Sequence, residues 1–366
     1  MENKFDLKPV TEWSCYKERP LLITGPCSAE TEEQMMQTAR ELVALNRVDI
    51  FRAGIWKPRT RPGSFEGVGK EGLKWLREIK KETGVPVSTE VANASHVNDA
   101  LKFGIDVLWI GARTSANPFA MQEIADALQG VETTVLIKNP VNPDLELWVG
   151  AIERIYKSGI SHIGAIHRGF SAYEKTLYRN QPKWQLPIEL KRILPEIPLI
   201  CDPSHIGGSR EFIFEISQKA MDLNYDGLMI ESHCDPSCAL SDKNQQLTPS
   251  DLDAILKRII LRKVSSDNTN FMNVLGALRS QIDIYDDQIL DILEQRMKVA
   301  EEIGRVKKEN DITILQSGRW EEIIKGAIKK GEAKGLSNEF IDMLFKAVHQ
   351  ESINHQNQIM NEHKGE

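Results

Sequence analysis

Eight short apolar runs recur through the first two-thirds of the chain, and each gives way to polar residues with useful chemistry. LLIT precedes Gly-Pro-Cys27-Ser, IFRAGIW precedes Lys57-Pro58-Arg59-Thr60, and VPVST precedes Glu90. VLWIGA runs into Arg113-Thr114, TVLI into Lys138-Asn139, and HIGAI into His167-Arg168-Gly169. PLIC leads to Asp202-Pro203-Ser204-His205, and GLMI to Glu231-Ser232-His233. Stretches with apolar residues at helical spacing separate the runs and predict helices over 32–45, 69–83, 94–103, 118–128, 145–158, 188–194, 210–224 and 249–260. A β-α unit repeated eight times over about 240 residues predicts an α/β fold of the (β/α)8 barrel type, which gathers its chemistry at the C-terminal ends of the strands. A doubly wound open sheet is the alternative. It is disfavoured because no Gly-x-Gly-x-x-Gly turn directly follows an apolar run.

The texture changes after residue 262. KVSSDNTN (263–270) is polar and aperiodic and reads as a linker. From Phe271 to about Lys308 the chain lacks proline, and apolar residues fall at Phe271, Leu275, Leu278, Ile282, Tyr285, Ile289, Leu293, Ala300 and Ile303. Steps of three and four make one stripe, as on helices that pack against other helices. At about 1.5 Å per residue this helix exceeds roughly 50 Å, too long to bury its stripe within one small domain, which predicts a partner chain. Two further helices are expected over 319–334 and 337–362, with Gly331 and Gly335 bracketing their junction. The chain thus reads as a barrel (1–262), a linker (263–270) and an all-α three-helix domain (271–366).

Composition narrows the setting. The 366 residues carry a net charge of −7, so no overall positive field favours a nucleic-acid partner. No apolar stretch approaches the roughly 20 residues of a membrane span, and MENKFDLKPVTEW lacks the apolar core of a secretory signal. The five cysteines are odd in number and not framework-spaced, pointing to a reduced, cytoplasmic compartment. Cys234 and Cys238 in HCDPSC faintly suggest a zinc pair, but no second pair follows.

Two constellations stand out at the run ends. Cys27, His205, Glu231 and Asp242 offer a thiolate, an imidazole and two carboxylates, three behind runs one, seven and eight and the fourth in the loop after run eight. Runs one and eight are neighbours in a closed barrel, so these groups can meet. The mixed donor set suits a divalent first-row metal without choosing among manganese, iron, cobalt and zinc. Each alone has a blander reading, Cys27 as a buried thiol and His205 as part of a capped turn. Arg52, Lys57, Arg59, Arg113, Lys138 and Arg168 form the second set. Any one could be a solvated rim charge. Together, in an acidic chain, they predict a site for several anionic groups.

The motifs GPCS, FRAGIWKPRT, IGART, LIKN, HRG, DPSH and DGLMIESH followed by ALSD resemble 3-deoxy-D-arabino-heptulosonate-7-phosphate (DAHP) synthase over residues 20 to about 262. Lys-Pro-Arg-Thr separates this family from the related synthases that use arabinose 5-phosphate. With no extra domain ahead of the first run, the resemblance is to the shorter type I-beta form. Arg61 and His167 depart from the usual pattern, which has Ser or Thr and often Glu at these places. The resemblance implies condensation of phosphoenolpyruvate with erythrose 4-phosphate on a divalent metal, manganese before cobalt, iron or zinc, held by Cys27, His205, Glu231 and Asp242. It also implies that Arg113, Lys138 and Arg168 bind the phosphoenolpyruvate phosphate, and Arg52 and Lys57 its carboxylate side. Pro58, Arg59 and Thr60 would bind erythrose 4-phosphate. Lys57 is the candidate proton donor, and Glu90 the candidate orienter of water. A sugar-phosphate aldolase with a structural tail is disfavoured by Cys27 with Lys-Pro-Arg-Thr.

In the tail, Arg296 and Lys307 are spaced by about three turns and share a face, as do Ser352 and Gln356 at i, i+4. Arg279 lies roughly 100° around the helix from Arg296, so one helix cannot aim both at one ligand. If they serve one site, Arg279 comes from a partner protomer. Spacing alone favours a dimerisation helix with charged outer positions. The pattern LRSQIDIYDDQILDILEQRMKVAEEIGRVK, continuing through Arg319 to ESINHQ, resembles the all-helical chorismate mutases over about residues 272–362. That resemblance implies an intertwined homodimer converting chorismate to prephenate, with Arg279, Arg296, Lys307, Arg319, Ser352 and Gln356 around the ligand. Lys307 and Gln356 would face the breaking ether bond. Trp320 stands where the family usually has Glu, and Gln316 where Asp is common. These departures keep a second possibility open, a non-catalytic module that senses pathway products and mediates dimerisation. The fusion also suggests feedback, with the tail's ligand inhibiting the barrel.

Overall fold

Period-two alternation within the apolar runs decides how the barrel is filled. The computed structural model describes residues 5–57, 63–173, 176–315 and 317–361, the side chains of Ser317 and Arg319 excepted. Eight strands, β1 (Leu21–Gly25), β2 (Ile50–Arg52), β3 (Val87–Val91), β4 (Val107–Ile110), β5 (Thr134–Lys138), β6 (Ile163–His167), β7 (Leu199–Cys201) and β8 (Gly227–Glu231), pair in parallel. The sheet closes β8 onto β1, with Gly25 level with Glu231.

Successive side chains on a strand point to opposite faces. Ile23, Ile50, Trp109, Leu136, Ile166, Ile200 and Met229 accordingly form an inner core, while Leu22, Phe51, Leu108, Ile137, Cys201 and Ile230 pack outward in a second core with the surrounding helices. A turn of 3-10 helix (Val10–Glu12) with Trp13 joins the inner cluster. Apolar periodicity gave no sign of this contribution from the first residues.

The helices fall where their spacing predicts, and side-chain caps set their starts. Thr31, Asn93, Asn117, Asp144 and Thr248 each accept a backbone N–H in the first turn of the helices that follow. Two short helices not anticipated from spacing, Ala112–Ser115 and Pro203–Gly207, follow β4 and β7 and carry Arg113 and His205. Strand β2 is shorter than its apolar run. It ends at Arg52, and irregular backbone continues to Lys57.

Contacts divide the chain into two units, with the boundary between Val264 and Ser265. The second consists of helices Thr269–Glu309, Ser317–Glu332 and Asn338–Asn361. The first of these begins inside the stretch expected as linker. Asn268 caps it by accepting the Phe271 N–H, so Thr269 and Asn270 are helical rather than linking. It is 41 residues long, and its buried residues, Met297, Ala300 and Gly304, all lie in its second half. Phe271, Leu278, Ile282, Tyr285 and Ile289 in the first half are exposed. Among the described residues no helix is long and apolar enough to cross a membrane.

Candidate functional site

The barrel site is the next layer of the inner face. Two residues beyond the inner apolar side chains Ile50, Leu136, Ile166, Ile200 and Met229 stand Arg52, Lys138, Arg168, Asp202 and Glu231. The pleat that sends the apolar residue inward also sends the charged one inward, at the C-terminal mouth. Arg52, Lys138, Asp202 and Glu231 are buried. Burial of so many charges is tolerable only because they pair.

Arg52 donates to Glu231 Oε1 at 2.8 Å and to the Cys27 carbonyl at 3.2 Å, with its guanidinium over the Trp109 ring. Lys138 donates to Asp202 Oδ2 at 2.9 Å. Burial opposes ionisation of Asp202, yet His205 and Lys138 hold its carboxyl well below the ordinary range. His205 places Nδ1 3.0 Å from Asp202 Oδ1, and its Nε2 is 3.8 Å from Glu231 Oε1. A carboxylate on one imidazole nitrogen orients the other, the usual support for a histidine that ligates.

Ligand atoms of Cys27, Glu231 and Asp242 lie within 4.8 Å of one another. Cys27 Sγ is 3.3 Å from Asp242 Oδ2, and Lys57 Nζ is 3.0 Å from the sulfur. Burial, then Glu231, pushes the thiol up to about 12. Burial also opposes ionisation of Asp242, but His205 and Arg179 outweigh it and lower its pKa. A thiol that burial keeps protonated beside two carboxylates is a donor set that a divalent cation would stabilise, so the residues fit one. His205 stands beside this group without being part of it. Among the described residues neither Cys234 nor Cys238 joins such a cluster.

Arg168 donates to Asn180 Oδ1 at 2.8 Å. Burial pushes its pKa down to about 10, Asp202 opposes that, and nearby Arg179 and Arg113 lower it further. Three guanidinium groups close enough to feel one another make a concentrated field for an anion. Glu90 accepts from Trp109 Nε1 at 3.1 Å, and Gly111 leaves room for it, since a Cβ there would lie 2.1 Å from Glu90 Oε1. Pro58, Arg59 and Thr60 lie outside the described residues.

Sequence reading missed several partners of this site. Arg179 bridges Asp242 Oδ1 at 2.9 Å and Gln245 Oε1 at 2.8 Å. Gln245 donates to Glu231 Oε2 at 2.8 Å, and Gln246 accepts the Cys27 N–H at 2.8 Å. Only the polar run Asn244-Gln245-Gln246 behind Asp242 hinted at them.

The tail carries a second cavity, of about 300 Å³, lined by Arg296, Lys307, Ser352 and Gln356 among others. Arg296 donates to Ser352 Oγ, and Lys307 to Gln356 Oε1 at 3.2 Å. Trp320 also lines it, stacked on His349 with ring centroids 4.0 Å apart. Arg279 is exposed and sits about 25 Å along the same helix from Arg296, so the protomer alone does not bring them together. Gln316 and the Arg319 side chain lie outside the described residues.

Comparisons with known proteins agree in two separate stretches. The sequence profile of the DAHP synthetase I family matches residues 13–265, and that of chorismate mutase type II matches residues 278–357. A phospho-2-dehydro-3-deoxyheptonate aldolase of Thermotoga maritima is 34% identical over 226 residues, 62% of this chain and 64% of that protein. The match therefore spans less than two thirds of that relative's length. A 2-dehydro-3-deoxyphosphooctonate aldolase of Geotalea uraniireducens is 30% identical over 261 residues, 66% of this chain and 92% of that one. The crystal structure of the Thermotoga maritima phospho-2-dehydro-3-deoxyheptonate aldolase superposes with a TM-score of 0.58 at 32% identity, covering 65% of this chain and 67% of that chain. The chain thus belongs to the DAHP synthetase I family and carries a chorismate mutase type II domain behind its barrel.

Proposed function

We propose that the barrel condenses phosphoenolpyruvate with erythrose 4-phosphate, releasing phosphate and forming DAHP, and that the tail rearranges chorismate to prephenate. The observation that carries the first half is the inward charged layer, in which a Cys27–Glu231–Asp242 cluster adjoins a field of buried cations. Two polyanions repel each other, so a cationic mouth is needed to bring them to reacting distance. In this reading Arg113, Lys138 and Arg168 take the phosphoenolpyruvate phosphate, Arg52 and Lys57 its carboxylate side, and Pro58, Arg59 and Thr60 the second substrate.

Cys27, Glu231 and Asp242, with His205, would hold a divalent cation, manganese first among the candidates. Such a cation, when bound, supplies Lewis-acid polarisation of the aldehyde oxygen. Lys57, whose Nζ lies 3.0 Å from the Cys27 sulfur, would give that oxygen a proton. Burial opposes its charge, while Cys27 and Glu231 raise its pKa, so it stays protonated. Glu90 orients the water that adds to the former enol carbon before phosphate leaves.

The tail reaction is pericyclic and needs no nucleophile, only a pocket that holds a compact dianion and donates to the breaking ether oxygen. Arg296, Lys307, Ser352, Gln356 and Arg319 serve that role, with Arg279 supplied by a second copy of the chain. Trp320 in the pocket wall and the distance of Arg279 favour a second reading, a sensing and dimerisation module without turnover. In either case prephenate bound in the tail is proposed to inhibit the barrel.

Assays of the full-length protein test all of this. Erythrose 4-phosphate is expected to be consumed with phosphoenolpyruvate and arabinose 5-phosphate to be refused. A chelator should abolish condensation and spare the loss of chorismate absorbance. Tight prephenate binding without chorismate turnover would select the sensing module, and an unchanged condensation rate at saturating prephenate would remove the feedback.

A further inference from the structure

Polar atoms lining the tail cavity are mostly spoken for. Arg296 is bonded to Ser352, and Lys307 to Gln356, across the gap between the long helix and the last one. His349 is the exception. It lines the same cavity, its Nε2 is shielded from water, and among the described residues that atom has no hydrogen-bond partner. An imidazole nitrogen withheld from water without a partner is a cost to the fold, relieved when something enters to bond it.

The ring is also held in place. His349, Ser352 and Gln356 follow one another at spacings of three and four, so they lie on one face of the helix Asn338–Asn361. Trp320, from the helix Ser317–Glu332, stacks on the imidazole at an interplanar angle of 11°. A stacked aromatic fixes the ring plane, and with it the direction of Nε2. Among the described residues, Arg296 and Lys307 are the charged groups whose field reaches the imidazole. Burial and these two cations lower the His349 pKa, so the ring is neutral at neutral pH and free to offer a single N–H.

We propose that His349 is a ligand-contacting residue of the tail cavity, its Nε2–H donating to a hydroxyl or carboxylate oxygen of the bound dianion while Trp320 holds the ring. This rests on reading the cavity as the chorismate site. Arg296 and Lys307 meet the ligand's negative charge, and His349 adds a neutral, directional donor that discriminates by position rather than by charge. Sequence reading passed over it because a lone histidine between Val348 and Gln350 carries no motif.

The test uses full-length protein and chorismate itself, measuring binding by calorimetry and turnover by absorbance. His349→Phe keeps an aromatic ring on Trp320 and removes the donor, and His349→Gln restores an N–H at about the same reach. Affinity or KM for chorismate is expected to worsen about tenfold in the Phe variant and to recover to within about threefold in the Gln variant, as loss and return of one hydrogen bond require. Both variants should keep the wild-type helical circular dichroism. A Phe variant equal to wild type overturns the proposal. So does equal loss in both variants together with lost helicity, which marks a structural residue. Wild-type protein that neither binds nor turns over chorismate defeats the reading of the cavity as well, and is recognised because it needs no variant.

Discussion

His167 shows how a single side chain can be read only once its neighbours are known. In the sequence it is a departure beside Arg168, which is proposed to bind phosphate. In the fold it is buried, with Nε2 2.6 Å from the Pro182 carbonyl and Nδ1 3.0 Å from the Tyr225 hydroxyl. Nε2 donates to the carbonyl and Nδ1 accepts from the hydroxyl, so the neutral ring is fully satisfied and burial disfavours a second proton. Burial accordingly pushes its pKa down from 6.5 to about 4. Between those values the unfolded chain binds more protons than the folded one. Its contribution to stability is therefore complete above pH 6.5 and is lost as pH falls to about 4, to the extent of about 3 kcal/mol. Urea unfolding across that range should show the wild-type protein losing this amount relative to His167→Gln. A pH-independent difference between the two would place the proton elsewhere. Lys138 and Glu231 were more legible, because each ends a strand and the inward pleat then dictates where it points.

At the scale of elements, the charged layer depends on what the strands omit as much as on what they carry. Gly25 has φ of +150°, and a Cβ there would fall 2.1 Å from the Arg52 carbonyl oxygen, so β1 and β2 approach only because this residue is glycine. Gly111 is different, since what it accommodates is the tip of Glu90. Gly111→Ala should therefore displace a flexible side chain and cost little stability, about 1 kcal/mol or less. Condensation should nonetheless slow by about tenfold or more, because the carboxylate proposed to orient water is moved. Thermal unfolding with steady-state kinetics separates the two effects, and an unchanged kcat would remove Glu90 from its proposed role. Helix spans were largely readable from apolar spacing and caps. The short helices carrying Arg113 and His205 were not, because a single turn is too brief to show a period.

For the whole molecule, the long tail helix sets the terms. Its first half presents Leu278, Ile282 and Ile289 to solvent, an apolar stripe that a second copy of the chain would cover. Ile282→Asp with Ile289→Asp should shift sedimentation to a monomer and reduce chorismate turnover about a hundredfold, since Arg279 then reaches no second site. Monomers with full turnover would show the cavity sufficient alone. The order of the eight strands and of the longer helices, and the residue types at each strand end, were determined by sequence alone, because period two and period 3.6 are local properties of the chain. Tertiary structure alone decided which of those ends touch. Closing β8 onto β1 brings Cys27 to Glu231 and Asp242, residues more than 200 positions apart in the chain. Packing of the last helix against the long one likewise leaves His349 facing a cavity with one bond unmade among the described residues. Such meetings follow from closure and burial, which no local pattern encodes.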